Sequence, residues 1–347
     1  MPLTSKHTFR IGSYGRSTTD EGWEKLEPEH IRVWQSALSL LSARTMKVQN
    51  CTVRIEANWM PILRKQEKHY NVMKRLQKGA ASKAELRSIL EGFPERSTEI
   101  EITTEMQGDE VSEEAAKNLA TSVIESYLYD FFAILNVSAP GCCDFYRGQL
   151  VGGSFERDIP LSGFYFDIAV VGTLEKEWQQ IRTLPLAQTV RWYDSVRSDI
   201  RQIPQNPMER ALFALLHISK IDTDPMIVIW LFYAFESLFQ TRAGENFSSL
   251  VQRIILLFNL DDTQAKIVRR EFRELYNTRS AIVHGGFEIA HPMQNEVLDK
   301  AIDDHRLRIS ETAEFGLALL LAAIQETIAR GWRYPIFSER LDGSKIG

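Results

Sequence analysis

The segment YNTRSAIVHGG, residues 276–286, sets an arginine and a histidine five positions apart, just before two glycines. These residue types can move a proton and hold a phosphate. An imidazole titrates near neutral pH, so His284 can act as a general acid or base. A guanidinium presents donors in a planar fork that matches carboxylate and phosphate oxygens alike, so Arg279 suits an ion pair or an anion contact. On the same helical pattern, Lys266, Arg270, Arg273 and Asn277 return to the side of His284. That side reads in one of two ways. It is a solvated polar face ending in a histidine that the helix dipole favours, or a cationic track leading to a titratable ring.

Arg279 falls elsewhere. On a wheel of about 100° per residue, Val268, Phe272, Leu275, Tyr276, Ile282 and Val283 share one arc about 120° wide, with Arg279 near its centre. An arc of that width faces a core, and an unpaired buried guanidinium is very costly, so Arg279 needs a partner, a cavity or an interface. The run 225–240 is apolar almost all round and carries one charge, Glu236. A buried bidentate pair between Glu236 and Arg279 is therefore expected. Gly285 and Gly286 are expected to end the helix in a left-handed cap and to leave backbone room beside the imidazole.

The elements that must position these residues divide the chain. With 347 residues there is room for two domains of ordinary size. Residues 1–185 read as an α+β domain. HTFRIGSYG, CTVRIEANW, TEIEITTEM and SGFYFDIAVVG have strand character, and helical patterns lie near 28–49, 62–92 and 113–135. The segment 62–92 reads as a charged helical hairpin broken at Gly79, either a solvated face or a nucleic-acid arm. Residues 186–347 read as almost entirely helical, near 187–201, 207–221, 225–240, 247–258, 263–284 and 296–330, the last broken in two. Asn206-Pro207 with Glu209, Asp224-Pro225, and Asp261 or Asp262 are helix-start signals. The expected fold class is an α+β N-terminal domain followed by an all-α helical bundle, mainly α overall.

Composition narrows the function. A net charge of −5 argues against a uniformly basic nucleic-acid binder, while a local basic stripe remains compatible with it. Cys51, Cys142 and Cys143 have no CxxC spacing, so no zinc site or disulfide framework is expected. His217 reads as a core or helix-surface ring, and Asp303-Asp304-His305 has no second cluster, with His291 isolated, to complete a metal site. No phosphate loop surrounds Gly152-Gly153, and no cofactor is expected. The apolar runs 226–235 and 317–324 are too short to span a bilayer, and MPLTSKHTFRIGSYG holds no apolar stretch of a secretory signal. The expected location is cytoplasmic, with no membrane partner.

Tyr276, Arg279, Ser280, Val283, His284 and Gly285 together spell a motif of the form Y-x-x-R-S-x-x-V-H-G. With ERALFALLHISK (209–220) and LFYAFESLF (231–239), which holds Glu236, the region resembles the HEPN superfamily and more closely its Apea-like branch. The resemblance covers roughly residues 190–335 and leaves the N-terminal half outside it. It implies a helical domain that dimerises and, in many members, a metal-independent endoribonuclease whose R-x4-H motif is catalytic. The catalytic pair would be Arg279 and His284, with Glu236, Ser280, Asn277 and Tyr276 in support and Lys266, Arg270 and Arg273 on the RNA. Ser280 stands where many members carry Asn, Asp or His; its hydroxyl can bond a phosphate but does no charge work. The products would be a 2′,3′-cyclic phosphate and a 5′-OH. The resemblance further implies a composite cleft in a homodimer, a setting in anti-phage defence or toxin-like abortive infection, and a trigger or antitoxin-like partner acting on the N-terminal half. The alternative is a non-catalytic dimerisation or RNA- or nucleotide-binding module.

Overall fold

A computed structural model describes residues 3–12, 20–48, 50–79, 82–91, 97–108, 113–152, 155–176, 181–197, 199–220, 224–241 and 247–338. In chain order the first half runs β1 (Leu3–Gly12), α1 (Asp20–Leu40), β2 (Ala43–Val48), β3 (Cys51–Ala57), α2 (Met60–Gln77), α3 (Lys83–Glu91), β4 (Ser97–Gly108), α4 (Glu113–Ser138), β5 (Gly148–Gly152), β6 (Phe155–Ile159) and α5 (Phe164–Lys176). The second half is helical: α6 (Leu186–Val196), α7 (Pro207–Ile218), α8 (Met226–Leu238), α9 (Phe247–Phe258), α10 (Asp262–Val283) and α11 (Ala301–Ala329). The chain is thus mainly α, with an α+β N-terminal part followed by a helical region.

The strands form one antiparallel sheet in the order β2-β3-β4-β1-β5-β6. Alternation explains its two faces. Val53 and Ile55 of β3, Ile100 and Ile102 of β4, and Phe9 of β1 are buried on one side, while Glu99 and Glu101 point the other way. Helix α4 packs against the buried side. There Trp59 stacks on Phe131 at 4.1 Å, and its indole N–H donates to the Tyr127 hydroxyl at 2.8 Å. A buried indole needs such an acceptor.

Two expectations are corrected here. SGFYFDIAVVG is not a strand: residues 164–176 form α5. A continuous apolar run suits a buried strand or a buried helix equally, and packing against α11 selects the helix. Gly172 permits that contact, since a Cβ there would lie 1.9 Å from Glu314 Oε1. The helical pattern near 28–49 likewise stops at Leu40, and Ala43–Val48 pair with β3 instead. Strands β5 and β6 had no expectation behind them. Ser13, Tyr14 and Gly15, the end of HTFRIGSYG, lie outside the described residues.

The helical region follows its capping signals closely. Asn206 Oδ1 accepts from the Glu209 N–H at 2.9 Å with Pro207 at the first helical position. Asp224 Oδ1 accepts from the Met226 N–H at 2.8 Å. Gly79, between α2 and α3, has φ +76°, a left-handed value that glycine adopts without strain. Helix α11 is continuous, not broken in two as expected, and it runs through the middle of the bundle, with Leu317 through Ile324 all buried. Gly316 lets it approach α8 and α10, because a Cβ there would sit 2.8 Å from Leu231 and 3.0 Å from Leu275.

The extended segment 181–185 passes between the two halves, yet the apolar core is continuous across it. Ser138 Oγ donates to the Leu184 carbonyl at 2.8 Å, and Gln325 Nε2 donates to the carbonyls of Val137 at 2.9 Å and Arg182 at 2.7 Å. The bundle therefore rests on the α+β part.

Candidate functional site

Helix α10 carries the residues that the sequence singles out. It opens on a full capping box: Asp261 accepts from the Thr263 and Gln264 N–H groups at 2.8 Å, and Gln264 Oε1 accepts from the Asp261 N–H at 3.3 Å. Ala265, Val268, Phe272 and Leu275 are buried. Phe272 sits among the rings of Phe232, Phe235 and Phe247, and Tyr276 lies edge-on to Phe232 and Phe247. One side of the helix is thus pinned to the core for its first four turns.

Beyond Leu275 the apolar stripe surfaces. Tyr276, Arg279, Ser280 and Ile282 are half-buried, and Val283 is exposed. Arg279 makes no hydrogen bond or ion pair among the described residues. Among the described residues the expected buried ion pair with Glu236 is not made, and Glu236 faces outward, exposed. Helix α8, apolar as it is, has an outward stripe of Met226, Tyr233 and Glu236, spaced three to seven residues apart, and buries Leu231, Phe232 and Phe235. Met226 and Tyr233 on that stripe hide its orientation from a count of apolar letters.

The polar face of α10 is open. Lys266, Arg270, Arg273, Asn277 and His284 are all exposed. His284 is the C-cap, and its N–H donates to the Ser280 carbonyl at 3.0 Å. Gly285 follows at φ +73°. Its N–H donates to Ile282 at 3.4 Å and that of Gly286 to Ala281 at 2.8 Å, the two bonds of a Schellman cap. The imidazole therefore stands at the end of a helix whose backbone turns sharply away.

Arg270 and Arg273 also wall a groove between α9 and α10 of about 740 Å³. Arg269, Ser248, Gln252 and Phe247 complete its polar and aromatic lining. The Arg273 guanidinium lies 3.9 Å over the Phe247 ring. Arg270 pairs with Glu271 at 2.6 Å, an exposed contact of little energetic weight. Lys266, Asn277, Arg279 and His284 do not line the groove. At about 1.5 Å per residue, His284 stands roughly 16 Å along the helix from Arg273. Arg269, Ser248 and Gln252 were not singled out from the sequence. The doublet Arg269-Arg270 was a signal for the first, whereas only the packing of α9 on α10 brings in the other two.

Exposed apolar side chains gather around the cap: Val283 at the end of α10, Ile289, Met293, Val297 and Leu298 in the segment after it, and Leu307 in α11. Val297 is 85% and Leu298 75% exposed. Phe287 folds back beside His305, with ring centroids 5.6 Å apart, and His305 is buried while Asp303 and Asp304 face outward. That split dismantles the Asp-Asp-His cluster. No group of three metal-ligating side chains occurs among the described residues. Cys51, Cys142 and Cys143 are buried and in no disulfide, and His217 stacks flat on Trp230 at 4.2 Å. Among the described residues no helix is long and apolar enough to cross a membrane. No family model, curated protein or solved structure matches the chain.

Proposed function

We propose that the protein is a metal-independent endoribonuclease of the HEPN type, acting as a homodimer with a composite site of Arg279 and His284. The observation that carries the reading is the open face of α10, where His284 caps a row of Lys266, Arg270, Arg273 and Asn277. RNA would run along the cations, which neutralise its phosphates. One imidazole takes the proton of a 2′-OH, that oxygen attacks the adjacent phosphorus, and the P–O5′ bond breaks. The second copy's imidazole, protonated, gives its proton to the leaving 5′ oxygen. Arg279 clamps the non-bridging oxygens as charge builds, and the Ser280 hydroxyl adds a neutral donor. The products are a 2′,3′-cyclic phosphate and a 5′-OH. DNA has no 2′-OH and resists this route.

The dimer has its own support. Arg279 and His284 diverge by about 140° around α10, so one copy does not aim both at a single phosphate. A two-fold axis near the end of α10 would bring two of each together and cover the exposed Val283, Val297 and Leu298. A cytoplasmic role in abortive infection, with a trigger acting through the α+β half, belongs to the same proposal.

The divergence of Arg279 and His284 also favours a second reading, a module that dimerises or binds RNA without cutting it. One experiment separates the two. Purified protein and its His284→Ala variant are incubated with tRNA and mixed cellular RNA in EDTA, and fragment ends are analysed. Cleavage by the native chain alone, with cyclic phosphate ends, supports the nuclease. Salt-sensitive binding without products supports the module.

A further inference from the structure

Away from α10, a cavity of about 500 Å³ lies where α4 meets α6 and α7. Its volume falls in the range of small-molecule sites. Its polar lining includes Glu125, Ser126, Asp130, Arg197, His217 and Lys220, with Tyr129 and Phe213 as aromatic walls. Three features distinguish it from a packing defect.

The first is the buried ion pair at its wall. Asp130 and Arg197 are 7% and 9% exposed, and Arg197 Nε donates to Asp130 Oδ1 at 2.9 Å. The same oxygen accepts from the buried Tyr193 hydroxyl at 2.7 Å. Arg197 Nη1 donates to the Arg201 carbonyl at 2.9 Å. Asp130 Oδ2 and Arg197 Nη2 make no bond among the described residues, which leaves one strong acceptor and one strong donor. The pair also borders a second cavity of about 640 Å³ on the β2 side, where Arg44 holds Asp194 with bonds of 2.8 and 3.1 Å.

The second feature is an orphan hydroxyl. Ser126 is 92% buried, and its Oγ has no hydrogen-bond partner. One turn earlier on the same helix, Ser122 by contrast returns its hydroxyl to the Asn118 carbonyl at 3.2 Å. A buried hydroxyl without a partner is costly and calls for a ligand atom or a water.

The third is the charge balance. Glu125 is neutralised by Arg157 at 2.5 Å, and Asp130 by Arg197. His217 holds its proton less tightly than usual, through burial and then the nearby Lys220, so it is neutral at pH 7. Among the described residues, Lys220, exposed and set over the Tyr129 ring at 4.9 Å, is left as a charge with no carboxylate partner. A complementary ligand is therefore anionic at the Lys220 end and offers hydroxyls to Asp130 and Ser126.

We infer that this cavity binds a small hydroxyl-bearing phosphate, of the sugar phosphate or nucleoside monophosphate class, at the seam between the α+β half and the helical region. The phosphate meets Lys220 and the free nitrogen of Arg197. A vicinal diol donates to Asp130 Oδ2, the way carboxylates hold ribose hydroxyls in nucleotide sites. The inference does not depend on the nuclease reading, because neither Arg279 nor His284 takes part.

Calorimetric titration of the full chain tests it, with ribose 5-phosphate, adenosine 5′-monophosphate and inorganic phosphate as probes. At least one of the two sugar-bearing probes should bind with a Kd below about 1 mM and about tenfold tighter than phosphate alone. Lys220→Glu should weaken that binding about tenfold or more. Ser126→Ala should weaken it severalfold while leaving thermal stability unchanged or raised, because the hydroxyl it removes has no protein partner. Three results would overturn the inference: no binding of either sugar phosphate at about 10 mM, phosphate binding equally well, or binding that both variants leave intact. The last outcome would place the phosphate on the α10 arginines.

Discussion

The Arg273 guanidinium lies 3.9 Å above the ring of Phe247, so the first residue of α9 holds a cation on the open face of α10. The contact orders a long side chain before any ligand arrives and directs it along the groove between the helices. A cation over an aromatic face contributes about 0.5–1 kcal/mol when exposed. The folding contribution is small; the effect on a phosphate contact is larger because less side-chain freedom is lost on binding.

Arg273→Ala should weaken RNA binding and lower the slope of log K against log salt by about 0.7 for single-stranded RNA. Phe247→Leu should keep the slope and lower affinity, since the charge remains but its ordering is lost. Fluorescence anisotropy across a salt series reads both. An unchanged slope in Arg273→Ala would remove this residue from the RNA track.

Glu236 and Arg279 are independent in the fold. Glu236→Gln should alter unfolding free energy by no more than about 0.5 kcal/mol, the range of ordinary surface substitutions. Had the two formed a buried pair, removing the carboxylate would cost about 3–5 kcal/mol. Urea denaturation distinguishes these values. It follows that loss of RNA cleavage in Arg279→Ala would report on the site itself, because no buried carboxylate is stranded.

Gly285 has open space around its missing Cβ, so substitution there is a pure backbone test. At φ +73°, alanine should cost about 1–2 kcal/mol. Asparagine, which tolerates the left-handed region, should cost less. Denaturation midpoints in the order Gly, Asn, Ala would verify the cap. Equal midpoints would show that the helix end does not depend on it.

Burial holds the Asp130 carboxyl above its usual range, against the opposing pull of Arg197 and Tyr193. The folded state therefore binds this proton more tightly than the unfolded chain does. The contribution of Asp130 to stability is greatest below the unfolded carboxylate pKa and is lost as pH rises through the folded one. Relative to Asp130→Asn, the native chain should lose stability as pH rises through that window. Thermal melts of both proteins at a series of pH values check the sign.

The local chemistry of α10 was legible in its letters. A 3.6-residue period separated the stripe of Val268, Phe272 and Leu275 from the face of Lys266, Arg270, Arg273 and His284, and burial follows that division. Asp261 and Gly285 marked its two ends for reasons of hydrogen bonding and φ alone. These properties depend on neighbours within one turn, so they survive without knowledge of the rest of the chain. Tertiary structure decided the others. SGFYFDIAVVG had no period to favour strand or helix until α11 supplied a surface for it. Helix α8 had no polar side to orient it, and its packing on α10 and α11 turned Glu236 outward and left Arg279 without the expected partner. The cavity at Asp130 and Arg197 joins residues 67 positions apart and carries no motif. Its existence follows from how α4, α6 and α7 meet, and the interaction that shapes it, a charge pair withdrawn from water, forms only once the chain has closed around it.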